Sequence, residues 1–414
     1  MNEISEARMG PPTNWASRVL TPAWSGRKTP AAIATRMYTA AIASKLESVW
    51  DGAVAFPRNA WTSRLTSSEK QAKERQRMAI SFGVTVMPDP PYRRFLDLLV
   101  HAERNGFEYG WTYDSHVLWQ ESIPLLALAA DRTTTMKLGH FVTNPGTREP
   151  TVLASAYATL HDISDGRMVM GIGRGDSARR VIGLQPVKVA EFEADCLMLR
   201  DFMNGREVQW NEKDLTLPWV RKELPDIPLY VAGYGPKALA VAGRVSDGVI
   251  IQLADPVIIE WIMDTARKAA EEAGRDPDAL QCIVGAPSKV TSDMKQACEE
   301  VRWFPAMVSN HVMDLIERYG WNSDIPKELT DYVKARKFYD YKDHSRVGAA
   351  HGEFATDEIC ERFTVIGDAE QCAKKLRELE AVGVDQFNLY LMTEGQEEVL
   401  DIYGRDIIPQ LANA

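Results

Sequence analysis

LGHFVTNPGTREPTVLASAYATLHDISDGRMVMGIGRGD, from Leu138 to Asp176, carries the strongest architectural signal in this chain. Two apolar runs, Lys137–Val142 and Arg167–Ile172, each end in a loop with little side chain. The first loop holds Asn144, Pro145, Gly146 and Arg148; the second holds Gly171, Gly173, Arg174, Gly175 and Asp176. Between them, 151–162 has the apolar spacing of a helix. Strand, helix and strand in this order make a parallel βαβ unit. Bare loops at strand ends let backbone approach closely, which suits a flat cofactor bearing a phosphate.

The alternation extends in both directions. Strands are expected at 80–86, 109–113, 137–142, 167–172, 228–232, 248–251, 280–284 and 386–391, each followed by a helix or a helix-bearing insertion. Eight such units after residue 77 predict an α/β fold, a (β/α)8 TIM barrel with insertions; a doubly wound open sheet is the second choice. A polar excursion with Trp210 and Trp219 separates Gly205 from Pro228. The main insertion, about 286–365, includes a helical patch at 307–319 and a polar stretch at 340–352 that reads as mobile. Insertions of this length usually act as lids or binding elements.

Residues 1–77 differ in kind. They hold 12 Lys plus Arg against 6 Asp plus Glu, so the net charge of −10 hides an acidic remainder. Their tryptophans, Trp15, Trp24, Trp50 and Trp61, follow no period. Three readings stand: a translated upstream leader with Met78 as the natural start, a poorly structured arm, or a transit-type peptide. The domain expected to carry function is 78–414. Its acidity argues against nucleic acid, which demands clustered cations. No apolar run is long enough to cross a membrane. Five cysteines without CxxC spacing, Cys196, Cys282, Cys298, Cys360 and Cys372, suggest reduced thiols and a cytoplasmic location.

Barrel enzymes place their chemistry at the carboxyl ends of the strands. Those ends offer Tyr113, Asp114, His116 and Trp119; Thr143, Asn144 and Arg148; Gly173, Arg174, Gly175 and Asp176; Gly233, Tyr234, Gly235, Pro236 and Lys237; and Gln252 and Asp255. Pro236 fits the first turn of a helix, and Lys237 adds a cation there, a combination that suits a phosphate. The competing reading is an ordinary turn with a solvent-facing lysine. Gly171 to Asp176 is not the dinucleotide fingerprint, because its third glycine comes one residue early. His116 can hold or pass a proton at neutral pH, and Asp176 can share that work across the mouth. Either can equally be structural, Asp176 through a salt bridge with Arg174 or Arg179. His311 and Asp314 are too few for a metal, and no HExxH, paired CxxC or facial-triad spacing occurs, so no metal is expected. Lacking a tuned nucleophile or metal, such a site needs an organic cofactor.

VTNPGTREP, TLHDISDGRMVMGIGRGD and PLYVAGYGPKALAVAGRVSDGVI together resemble the luciferase-like superfamily. The resemblance runs from Met78 to the C-terminus. It is closest to the branch that uses the 8-hydroxy-5-deazaflavin coenzyme F420, the methylenetetrahydromethanopterin reductase-like enzymes. It implies a ring at the barrel mouth backed by a bulge in the third strand, with a non-prolyl cis peptide at Phe141–Val142. It implies cofactor contacts from Asp114, Phe141, Val142 and Asn144, from Gly173, Arg174 and Gly175, and from Ala232, Gly233, Tyr234 and Gly235. It makes His116 and Asp176 the catalytic candidates. Family members commonly read Asp-His directly, whereas Ser115 separates Asp114 from His116 here.

The function expected is hydride transfer between a (deaza)flavin, F420 or FMN, and a small organic substrate. An FMN-dependent monooxygenase, using O2 and flavin supplied by a separate reductase, is the alternative within the fold. A non-catalytic flavin-binding partner subunit is the alternative outside enzymology. A cofactor-free lyase ranks last, because it needs a buried strand-end lysine and only Lys237 and Lys289 come near. Family analogy adds a homodimer.

Overall fold

The computed structural model describes residues 80–320, 325–339 and 347–412. The expected extension, 1–77, lies outside the described residues, as does 340–346 of the polar stretch. Eleven strands are described: β1 (Ser81–Val86), β2 (Tyr109–Thr112), β3 (Lys137–Thr143), β4 (Met168–Ile172), β5 (Val208–Trp210), β6 (Lys213–Leu215), β7 (Leu229–Ala232), β8 (Gly248–Ile251), β9 (Gln281–Val290), β10 (Val365–Gly367) and β11 (Gln386–Tyr390). The helices are α1 (Tyr92–Arg104), α2 (Ser122–Arg132), α3 (Pro150–Ile163), α4 (Ser177–Arg180), α5 (Val189–Phe202), α6 (Pro236–Val245), α7 (Pro256–Glu272), α8 (Met294–Val301), α9 (Trp303–Tyr319), α10 (Lys327–Thr330), α11 (Asp357–Phe363), α12 (Ala369–Ala381), α13 (Gln396–Ile402) and α14 (Ile408–Ala412).

The strands pair in parallel in the order β11-β1-β2-β3-β4-β7-β8, and β9 joins β8 to β11. Eight strands thus close into a (β/α)8 barrel. Both faces of each strand must be covered in such a sheet, which is why β2, β4, β8 and β11 are buried at every residue. Short side chains set the close approaches. A Cβ on Gly139 would fall 2.1 Å from the carbonyl oxygen of Val169 on β4. Helix starts follow local chemistry: Glu149 caps the Val152 N–H ahead of Pro150 in the first turn of α3, and Asp368 with Gln371 forms a capping box on α12.

The register between β3 and β4 shifts between His140 and Thr143, and the Phe141–Val142 peptide is cis. Bulge and cis bond stand where the family resemblance placed them. The Trp210 excursion forms a hairpin, β5 with β6, turned by Asn211 and Glu212, both at positive φ.

Three expectations change. β9 runs to Val290 rather than stopping at 284, and β10 pairs beside its end. Lys289 is therefore a strand residue, paired with Glu300 at 2.9 Å. The insertion is built chiefly of helices α8 to α11. The C-terminal helix, expected to run unbroken over 396–413, passes through a π-helical turn at Tyr403–Ile407. There Gly404 meets Asn105 so closely that a Cβ would lie 2.4 Å from the asparagine Oδ1.

Candidate active site

The cleft at the carboxyl ends of the strands has a volume of about 1310 Å³, counting the part open to solvent. Its floor is the β3 bulge. Phe141 is buried there, meeting Trp111 edge-on at 5.5 Å and Tyr390 edge-on at 5.8 Å. Gly285 makes room for that ring, since a Cβ would stand 2.6 Å from Phe141 Cε1. Gly173 faces Val142, and a Cβ there would come within 3.0 Å of the valine.

Asn144 is the most informative side chain of the floor. It is buried and lines the cleft. Its Oδ1 accepts from the Gly146 N–H at 3.1 Å, which fixes which end of the amide is which. Its Nδ2 has no hydrogen-bond partner. A buried donor left unpaired beside a cleft fits a ligand that carries acceptor oxygens there. The residues present therefore suit a ring with carbonyl groups, as flavins and deazaflavins have.

The far end of the cleft is cationic. Gly175, at φ +80°, turns the chain so that Arg174 and Asp176 both line the cleft. The Arg174 Nε donates to the Val187 carbonyl at 2.6 Å. Burial, and then Arg318 nearby, push the Arg174 pKa down. Arg174, Arg318 and Lys237 outnumber Asp176 and Asp314 along this part of the lining, which suits an anion there. Gly235 caps α6 without a side-chain bond, and Lys237 and Ala238 of the first turn line the cleft, so the helix opens toward it. Asp176 is held by Arg180, not by Arg174 or Arg179, and the same Arg180 reaches Asp314 on α9.

Behind the floor lies a buried polar network. Asp114 is 4% exposed and accepts from Thr143 Oγ1 at 2.6 Å, from Arg148 at 2.5 and 2.9 Å and from Ser122 at 3.2 Å. Burial would raise its pKa, but the imidazole of His140 when charged, and Arg148 with Thr143, bring it to about 2. Burial also pushes His140 down to about 4, against the pull of Asp114. His140 is therefore neutral at pH 7, and Arg148 is what holds the Asp114 charge there. The His140 ring spans Tyr157 Oη at 2.6 Å and Ser122 Oγ at 2.8 Å.

The structure brings nearly all the sequence-derived candidates together. Asp114, Phe141, Val142, Asn144, Gly173, Arg174, Gly175, Asp176, Ala232, Gly233, Tyr234 and Gly235 all line the cleft. His116 does not: it is exposed, and Ser115 takes the lining position, its Oγ 2.8 Å from that of Ser177. The extra residue after Asp114 carries the histidine past the rim. Arg148 and Asp255 also miss the cleft. Arg148 serves Asp114, and Asp255 caps α7 and pairs with Arg362.

The lining residues missed in sequence come from the insertion and, as Ser177, Ala178, Pro186, Val189 and Tyr390, from the region after β4 and from β11. Met307, His311, Asp314, Leu315, Arg318 and Tyr319 form one face of α9, laid across the mouth. His311 stacks on Tyr234 at 4.8 Å, with planes 20° apart. Tyr234 Oη donates to the Gln252 carbonyl at 3.0 Å, and Gln252 Nε2 donates to Tyr390 Oη at 2.7 Å. Their helical spacing was readable in the sequence; that the helix crosses the cleft was not. No group of three or more His, Cys, Asp or Glu among the described residues is placed to hold a metal.

Residues 65–386 match the family described as luciferase-like monooxygenase. The chain is similar to 5,10-methylenetetrahydromethanopterin reductase of Methanopyrus kandleri, 28% identical over 80% of this chain and 98% of that one. It is also similar to the F420-dependent glucose-6-phosphate dehydrogenase of Nakamurella multipartita, 25% identical over 76% of this chain and 91% of the other. Among solved structures, the coenzyme F420-dependent tetrahydromethanopterin reductase of Methanopyrus kandleri superposes with a TM-score of 0.65 at 25% identity, covering 80% of this chain and 99% of that one.

Proposed function

Because the chain belongs to the luciferase-like monooxygenase family, we propose that it is an oxidoreductase moving a hydride between coenzyme F420 and a small organic substrate. The observation that carries the reading is Asn144: a buried, cleft-lining amide just past the end of β3 whose Nδ2 lacks a partner. F420 is favoured over FMN because the glucose-6-phosphate dehydrogenase and the solved tetrahydromethanopterin reductase, each matched over most of its length, are F420-dependent by name. When bound, such a ring supplies a two-electron hydride donor or acceptor. The chain's own work is to bind and orient. Phe141 and Val142 would lie against the ring, Asn144 would donate to one of its acceptors, and Gly173, Gly175 and Gly235 would leave room for the tail, whose charge Arg174, Arg318 and Lys237 would neutralise. Asp176, locked to Arg180, keeps the β4 loop joined to α9. His116 receives no role in the cleft.

Titration of the purified protein with F420 and with FMN, read by absorbance and fluorescence, tests the proposal. Saturable binding of F420 at least tenfold tighter than FMN is expected. Tighter FMN binding would move the chain to the oxygen-using alternative, with its separate flavin reductase. Binding of neither refutes the reading. Turnover of bound F420 with methylenetetrahydromethanopterin and with glucose 6-phosphate then compares the two substrate classes. Coenzyme binding without turnover of either is the result a partner subunit would give.

A further inference from the structure

We propose that His311, on the insertion helix α9, is the proton-transferring residue of this cleft, in the place the sequence reserved for His116. The inference rests on the hydride-transfer reading above and assigns the other half of that reaction. A hydride leaves or reaches carbon as two electrons and one proton, so the neighbouring oxygen or nitrogen must lose or gain a proton separately. With F420 bound, the coenzyme would supply the acceptor for the hydride of the substrate C–H, and His311 would take the proton of the adjacent O–H; in the reducing direction His311 would return that proton to the oxygen. Atoms and charge balance with the coenzyme as the only redox partner.

Four observations converge on this residue. His311 lines the cleft, which no other histidine among the described side chains does. His140 is sealed behind the bulge, and His116 stands outside the rim. The other acidic candidates are committed: Arg180 engages Asp176 and Asp314, and Arg148 engages Asp114. The stack on Tyr234 orients the imidazole, and Tyr234 is itself pinned through its hydroxyl to Gln252. The ring nitrogens of His311 make no hydrogen bond to another described residue, so they are available to a ligand.

The position along α9 matters as much. Phe304, at the start of the helix, meets Tyr390 edge-on at 5.5 Å, at the aromatic end of the cleft. Leu315 reaches Gly235, where a Cβ would stand 2.7 Å from the leucine, at the cationic end. His311 lies between, where the ring end gives way to the tail end. The titratable and charged groups around the same part of the cleft are Tyr234 stacked on it, Asp314 and Arg318 on its own helix, Asp176 with its partner Arg180 from the β4 side, and Lys237 on α6. An imidazole exchanges protons near neutral pH, and a positioned acid–base group contributes roughly 10²–10⁴-fold to rate.

The test uses the full chain with histidine labelled at Cε1 and F420 as the probe. The His311 resonance is identified by its loss in His311→Gln. Adding F420 is expected to move it by the ring current of the coenzyme while the His101 resonance stays in place. His311→Phe keeps an aromatic ring over Tyr234. It is expected to bind F420 as the wild type does, yet to turn over about 100-fold more slowly, with the histidine limb of the pH profile gone. F420 that binds without moving the resonance, or full turnover in His311→Phe, overturns the proposal and leaves the coenzyme reading standing. Failure of F420 to bind the wild type overturns both.

Discussion

Acidification from pH 7 to pH 5 will cost this protein stability through His140, and His140→Gln will remove that cost. In the unfolded chain the imidazole titrates near 6.5, whereas burial holds it at about 4 in the folded protein. Between those values the unfolded chain binds a proton that the native state refuses. Stability contributed by the neutral ring is therefore complete above pH 6.5, falls as the pH drops toward 4, and is level below that. One pKa unit corresponds to about 1.4 kcal/mol, so the difference amounts to about 3 kcal/mol over the window, of which about 2 kcal/mol is lost by pH 5. His140 is fully buried, so solvent screening does not reduce the figure. His140→Gln keeps a polar group between Tyr157 and Ser122 but does not titrate. It starts about 1–2 kcal/mol less stable at pH 7, from poorer hydrogen bonds. Urea unfolding at half-unit steps from pH 7 to 5 measures both chains. His161, also lowered by burial, is common to both and cancels in the comparison. Equal loss of stability in the wild type and His140→Gln across that window would refute the argument.

Two substitutions separate support from binding. Arg148→Met leaves the buried Asp114 carboxylate without its guanidinium partner, and a loss of about 3–5 kcal/mol is expected in denaturant melts at pH 7. The Arg148→Met, Asp114→Asn double variant should recover part of that loss, because the charge itself is then gone. Asn144→Ala removes a donor that has no partner in the protein. It also removes the Oδ1 that accepts from the Gly146 N–H, so it should cost about 1 kcal/mol of stability while weakening F420 binding about tenfold, the worth of one hydrogen bond. A large loss of stability with unchanged affinity would show Asn144 to be a framework residue.

The barrel was legible because its strands carry their own evidence. Strands buried on both faces read as continuous apolar runs, and eight such runs alternating with helical spacing leave few topologies. The glycine corners were legible for a related reason. At Gly173 and Gly175 the backbone conformation or the approach of Val142 excludes a side chain, and that exclusion is written in residue type. His116 falls outside the cleft, and its reading had rested on order along the chain. One residue after Asp114 decides whether a side chain enters the cleft or leaves it, and the resemblance carried an Asp-His spacing that Ser115 breaks. The Asp114–Arg148–His140–Tyr157 network was partly hidden, since His140 looked like any polar residue in a strand. Its role depends on two helices, α2 and α3, supplying Ser122 and Tyr157.

The roof of the cleft was the least legible part, and the reason bears on how the site is built. The floor is made by neighbours in one sheet, so short sequence blocks specify it. The roof is a helix borrowed from the insertion, and the contacts that seat it are distant in sequence: Arg180 to Asp314, Tyr234 to His311, and Phe304 to Tyr390. A floor fixed by the barrel suits the part of the reaction that does not vary, holding a planar ring and its charged tail. A roof attached by an ion-pair bridge and ring contacts can change its facing residues without disturbing any strand. On the proposed reading, the βα corners would encode the coenzyme and α9 the proton chemistry. Substitutions on the cleft face of α9, Arg318 excepted, should then alter which substrate reacts far more than how F420 binds.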